Sequence, residues 1–337
     1  MAEAVAKAEA ARALQEQNTA RRCNVRPLPA VATRPFRSDL TVEKNTIFLS
    51  NQFRGDFYTF EHEIPHPDSG EPVIRRVTVG KENDRDRGRG VLTQVHQDVF
   101  YKVLQLWQEQ GHPLGQVGAR SYGIVTASRY RLVSFIRGAG SDRAEDYLRV
   151  QQLLRDLAAT PVVLENVYTW QGFREREGFT LLAEVRWRED DGGGRASILL
   201  SSFVTDGFLN RNYKILLGAP YDSLRAPEKD GRRGAQMEIA RLLYPFLDMQ
   251  LAKKDEYHSK LDNLAERFGF SRYPYKSQRY RRMLPTACAL DGLPIQREQY
   301  RLRVQLDESK DGSDYMLVAR RERTGKASQL ALFDPAG

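Results

Sequence analysis

Apolar residues recur in the chain with two periods, and the switches between them outline its organisation. From Thr46 the pattern is strand-like: Ile47 to Leu49, Phe57 to Phe60, a Pro67 to Gly70 turn signal and Val73 to Val79 together predict a hairpin. The charged and Gly-rich stretch Lys81 to Gly90 reads as a solvated loop. Helical spacing follows from about Thr93 to Gln110, with Val95, Val99, Val103, Leu106 and Trp107 on one face and Gly111 and Pro113 as the stop. After an extended piece at Ile124 and Val125, a second helix is predicted around Leu132, Val133 and Ile136. A third opens on a capping box at Asp142 and Glu145 and carries Tyr147, Val150, Leu154 and Leu157. Three β-rich runs then follow: Val162 to Tyr168, Thr180 to Trp187 and Ser197 to Phe203. Helix, helix, Gly turn, helix, strands is the order of a winged helix-turn-helix domain.

The same order repeats without residue-level identity. Gln236 to Leu251 predicts a long helix that Pro245 should kink or divide. Leu261, Leu264, Ala265 and Phe268 mark a short helix ending at Gly269, and Tyr275 to Leu290 a third, in which Pro285 threatens regularity. Tyr300 to Leu306 should pair with Tyr315 to Val318 across Lys310-Asp311-Gly312. The expected fold class is therefore α+β: tandem winged helix-turn-helix domains with an N-terminal β-hairpin and a disordered basic arm. The expected boundaries are 1–40 for the arm, 41–218 and 219–322 for the two domains, and 323–337 for a flexible tail.

Charge narrows the function. Lys plus Arg number 52 against 44 Asp plus Glu, a formal net charge of +8, which favours polyanionic partners. No apolar run approaches the roughly 20 residues that span a bilayer, and no secretory signal pattern stands at the N-terminus, so the expectation is a soluble cytoplasmic protein associated with the nucleoid, with no membrane partner. The two cysteines, Cys23 and Cys288, give neither metal-ligand spacing nor a disulfide framework and read as reduced thiols. No cofactor motif is present; Gly325-Lys326 lacks the upstream glycine and context of a phosphate-binding loop.

The two third helices differ in charge. Ser141 to Ala158 mixes Arg143, Arg149 and Arg155 with Asp142, Glu145, Asp146 and Asp156, a surface unsuited to phosphate. Ser271 to Arg282 carries Arg272, Lys276, Arg279, Arg281 and Arg282 with no acid and interleaved tyrosines, and its Ser277 adds a hydroxyl. With Tyr280 and Leu284 facing the core, Lys276, Arg279 and Arg282 would point outward together. Arg303, Lys310 and Arg320 on the last hairpin are candidate backbone contacts, alongside the alternative that they are edge-strand charges that prevent aggregation. Arg129 and Arg131 are candidates in the first domain.

The run Tyr130 to Gly140, followed by Tyr147 and Leu153 to Val162, resembles the first winged helix of bacterial plasmid replication initiators of the RepA-like, iteron-binding type. The likeness continues through Ser197 to Phe203, Asn212-Tyr213-Lys214 and Arg241 to Tyr244, covering roughly Thr93 to Arg321. It implies binding to repeated sites in double-stranded origin DNA, opening of nearby duplex and recruitment of host replication proteins, including the initiator ATPase and the replicative helicase. It also implies a switch between dimer and DNA-binding monomer, and no nuclease or NTPase centre. Gln329, Leu330, Leu332 and Phe333 in the tail look like the short peptide by which bacterial replication proteins dock on the sliding clamp; folding back onto the domain is the alternative.

Two rival functions stay open from the residues. A transcriptional repressor would bind grooves in the same way. A rolling-circle nicking enzyme would need a Tyr nucleophile and a His-x-His metal pair, whereas His62 and His66 stand four apart beside Pro65 and Pro67 and read as surface histidines.

Overall fold

The computed structural model describes residues 35–51, 53, 55–80, 90–128, 131–132, 144–188, 195–224, 231–270 and 275–324, with the side chains of residues 144 and 231–236 left aside. The chain forms two compact units, one of residues 34–217 with 264–271, the other of residues 218–263 with 272–337 and 1–33. The architecture is mixed α/β throughout.

In the first unit, β1 (Phe36–Asp39) runs into α1 (Leu40–Asn45), so the last residues assigned to the arm are ordered. The hairpin of β2 (Phe57–Pro65) and β3 (Pro72–Gly80) forms around the expected turn. Helix α2 (Gln94–Glu109) buries Val99, Val103, Leu106 and Trp107, the face its spacing predicts. Next come β4 (Leu114–Val117) and β5 (Arg120–Ser128), then α3 (Ala144–Ala159). The second predicted helix, apart from residues 131 and 132, and the Asp142 capping box fall outside the described residues. Strands β6 (Val162–Thr169), β7 (Gly172–Phe179), β8 (Leu182–Arg188) and β9 (Arg195–Leu200) follow, then α4 (Ser202–Leu209) and β10 (Tyr213–Leu216).

These strands make two four-stranded antiparallel sheets, β2-β3-β6-β7 and β4-β5-β9-β8, and β1 pairs with β10. The β6–β7 hairpin thus leaves the sheet to which β8 and β9 belong and extends the N-terminal hairpin instead. Strand β7 was not expected because its sequence, Gly-Phe-Arg-Glu-Arg-Glu-Gly-Phe, has no buried face: it is an edge strand whose charged positions are solvated. Phe203, expected in a strand, starts helix α4, where Ser201 caps the backbone N–H of Val204.

The second unit contains α5 (Gly218–Ser223), α6 (Gly231–Gln250), β11 (Glu256–Lys260), the start of α7 (Leu261–Phe268), α8 (Lys276–Leu290), β12 (Pro294–Ile295), β13 (Tyr300–Glu308) and β14 (Tyr315–Arg323). Its sheet has the order β11-β14-β13-β12, antiparallel throughout, so the strand between α6 and α7 joins the outside of the last hairpin. Helices α6 and α8 pack together over this sheet around Leu243, Leu247, Met283, Ala287, Leu290, Leu302 and Leu317. Both run through their prolines, Pro245 and Pro285, without dividing. Burial of an apolar stripe over many turns outweighs one lost backbone bond and ring clash, about 3 kcal/mol. Cys288 lies on α8, and Cys23 lies outside the described residues.

The last turn of α7 belongs to the first unit. Its terminal carbonyls, which no helical N–H can reach, are taken up there: the Tyr58 hydroxyl donates to the carbonyl oxygens of Glu266 and Arg267, at 2.6 and 3.0 Å, and the N–H of Ser50 to that of Phe268 at 2.8 Å. Gly269 ends the helix at φ +70°, where a Cβ would lie 3.0 Å from the Phe53 ring.

Candidate nucleic-acid interface

Helix α8 carries the basic cluster singled out from the sequence, and its orientation is fixed by what its buried stripe meets. Met283, Thr286, Ala287 and Leu290 are buried. Traced back one and two turns, that stripe passes through Arg279 and Lys276, where the opposing surface is acidic instead of apolar. Arg279 has a side chain only 12% exposed, and its guanidinium lies 3.0 Å from Asp262 on α7 and 3.5 Å from Asp314 at the foot of β14. Asp314 is itself buried, and its other oxygen accepts the backbone N–H of Asp262 at 2.8 Å, in the first turn of α7. One buried carboxylate therefore caps one helix and pairs with the next.

Lys276 joins the same seam. Its ammonium is 3.1 Å from Glu308, donates to the Gly312 carbonyl at 2.5 Å and sits over the Tyr315 ring, whose other neighbour is Tyr280 at 4.4 Å between centroids. Arg282 is half-buried. The expectation that Lys276, Arg279 and Arg282 project outward together is thus corrected: Lys276 and Arg279 clamp α8 to α7 and to the β13–β14 hairpin. Periodicity could not show this, because Asp262, Glu308 and Asp314 are distant in sequence.

The outward face is the complementary one. Ser277, Gln278 and Arg281 are exposed, and among the described residues none of their side chains has a hydrogen-bond or ionic partner. Tyr275, the N-cap of α8, is 67% exposed directly ahead of them. Ser277 and Arg281 are candidates from the sequence; Gln278 is not, because an uncharged amide adds nothing to a cationic cluster and its one signal is its place beside Ser277. Arg272 lies outside the described residues.

The β13–β14 hairpin is basic but largely self-neutralised. Arg303 and Arg320 stand directly opposite each other across the strands. Arg303 is 2.6 Å from Glu322 and 3.6 Å from Asp291, while Arg320 bonds Glu256 on β11. Those hydrogen bonds and charges raise Arg303 above the ordinary guanidinium range and hold Glu256 below the usual carboxylate range. At the tip Asp311 takes hydrogen bonds from Ser309, Lys260 and Ser313, which depress its pKa and lock the turn. Lys310 is exposed beside it.

In the first unit Arg131 is paired with Glu109 at the end of α2, and Arg129 lies outside the described residues. His62 and His66 are not set up as a metal pair. His62 is directly opposite Arg75 on the neighbouring strand, and burial, then Arg75 and Arg267, push its pKa down to about 4. The His66 ring packs on Phe173 at 4.9 Å. Among the described residues no cluster of three or more His, Cys, Asp or Glu could hold a metal, and no helix is long and apolar enough to cross a membrane. Gln329, Leu330, Leu332 and Phe333 lie outside the described residues.

No protein-family model and no curated protein matches the sequence. The fold is similar to that of domains 2 and 3 of RctB: a crystal structure of their SeMet derivative superposes with a TM-score of 0.50 at 14% identity, covering 85% of this chain and 99% of that one. A second RctB domain 2–3 structure gives a TM-score of 0.46 at 12% identity, over 85% and 98% of the respective chains. The likeness at this identity is one of fold, and it places the chain's mixed α/β architecture with that of the two RctB domains.

Proposed function

We propose that the protein is a sequence-specific, double-stranded-DNA-binding replication initiator, acting without cofactor and without catalysis of its own. The observation that carries this reading is the free polar face of α8, Ser277, Gln278 and Arg281, on a unit of the order helix, strand, helix, helix, hairpin. That order, with the first strand added to the last hairpin, matches a winged helix, in which the third helix enters the major groove and the hairpin lies along the adjacent backbone. In the first unit α2, β5, α3, β8 and β9 supply a helix, strand, helix and hairpin in the same order, with the β6–β7 hairpin inserted and the middle helix expected from the sequence outside the described residues. The fold likeness to two RctB domains supports the two-domain arrangement the reading requires.

The resemblance to plasmid replication initiators supplies the finer terms: repeated origin sites, opening of adjacent duplex, recruitment of the host ATPase and helicase, and a dimeric form alternating with the DNA-binding one. The tail residues Gln329 to Phe333 would contact the sliding clamp. Selection of bound duplexes from a random pool tests the reading. Directly repeated sites are expected; a palindrome would favour a repressor, and a covalent tyrosyl adduct on supercoiled origin DNA with Mg²⁺ or Mn²⁺ would replace the binding reading with a nicking one.

A further inference from the structure

We infer that Gln278 and Arg281 are the base-reading pair of this surface, taking an adenine and a guanine edge, while Lys276 and Arg279 set the angle of the helix and do not touch the duplex. The inference rests on the duplex-binding reading above. The polar and charged side chains in the first two turns of α8 divide by commitment. Lys276 and Arg279 are held by Glu308, Gly312, Asp262 and Asp314. Moving either onto a phosphate would strand a carboxylate, in the case of Asp314 a buried one. Ser277, Gln278 and Arg281 have no such ties.

Residues three apart on a helix are surface neighbours, with Cβ atoms about 5–6 Å apart. Stacked base pairs are about 3.4 Å apart along each strand, so Gln278 and Arg281 reach the same or neighbouring base pairs when this end of α8 lies in a major groove. Their chemistry selects the edges. A Gln amide donates and accepts at once, matching N7 and the N6 amino group of adenine. A guanidinium offers two parallel donors, matching O6 and N7 of guanine. Ser277 and the exposed Tyr275 hydroxyl, at the mouth of the helix, suit phosphate oxygens instead.

The test is selection from a random duplex pool with the full chain and four variants. Wild type is expected to yield a motif in which an adenine and a guanine lie within two steps of each other. Arg281→Ala should lose roughly 5- to 100-fold of the guanine preference and Gln278→Ala a comparable share of the adenine preference, other positions unchanged. Gln278→Glu should move that position toward cytosine, whose amino group a carboxylate accepts; an unfolded variant could not show this. Lys276→Met should keep the motif and the wild-type salt dependence of binding. Retention of the wild-type motif by both alanine variants overturns the inference. So does a fall of about 0.9 in the salt slope of Lys276→Met, the mark of a lost phosphate contact. Absence of any motif from wild type would overturn duplex recognition itself, a separate failure.

Discussion

Replacing Arg279 with alanine separates the clamp from a DNA contact. The guanidinium sits between Asp314, buried, and Asp262, whose side chain is 65% exposed. Its removal leaves Asp314 with the Asp262 N–H as its main remaining donor and an uncompensated charge in a poorly solvated site. Breaking a buried pair from one side costs about 3–5 kcal/mol, and the loss of a single charge-assisted hydrogen bond about 1.5–3. With Asp314 still capping α7 and Asp262 reaching water, the expected loss is roughly 2–4 kcal/mol. The loss should be local to the second unit. All three tryptophans, Trp107, Trp170 and Trp187, lie in residues 34–217, so fluorescence follows the other unit and hydrogen exchange at β13 and β14 reports the site. Faster exchange there, and a coupling of at least about 1 kcal/mol in the Arg279→Ala, Asp314→Ala double-mutant cycle, are expected. Unchanged exchange combined with weaker DNA binding and a smaller salt slope would refute the clamp and restore Arg279 as a phosphate ligand.

Other perturbations probe the rest of the molecule. Asp39 caps α1 from a fully buried position, and burial, against the hydrogen bonds from Val42 and Thr41, pushes its pKa up to about 7 from an ordinary 3.8. A folded pKa above the unfolded one means a contribution fully present below about pH 4 and lost as the pH rises through 7, so the urea midpoint of wild type should fall relative to that of Asp39→Asn over that window. His62 carries the opposite sign: with its folded pKa near 4, protonation of the unfolded chain lowers stability as the pH falls below 6.5, and NMR titration of its ring should show a midpoint well under that of free histidine. Gly207→Ala would set a methyl 2.5 Å from a carboxylate oxygen of Asp39 and should cost about 1–3 kcal/mol in denaturant melts. In clamp pull-downs Leu332→Ala with Phe333→Ala should abolish retention; equal recovery would remove the clamp from the proposed function.

Elements with one strong period were legible in the sequence. The α2 stripe from Val99 to Trp107 and the alternation of β13 depend on each segment's own burial. Elements defined by what they meet were not. Strand β7 is recognisable only through its ladder to β6, and β11 only through its ladder to β14. The orientation of α8 is the same kind of problem: its cations sit at helical spacing whichever way they face, and the acids that turn Lys276 and Arg279 inward arrive from α7 and from the far strand of the hairpin. Charge count therefore picked out this helix but not which of its faces is left open.

The matched acids along the last hairpin bear on how such a protein would find its target. Arginines already satisfied by Glu322 and Glu256 gain little from any passing phosphate, since each new contact must break an existing one. Under the proposed function, background attraction to arbitrary duplex would stay low as a result, and a larger share of discrimination would fall to the few unengaged side chains on the helix. With millions of competing positions in a genome, a weak grip on the wrong sequence shortens the search as surely as a strong grip on the right one secures its end.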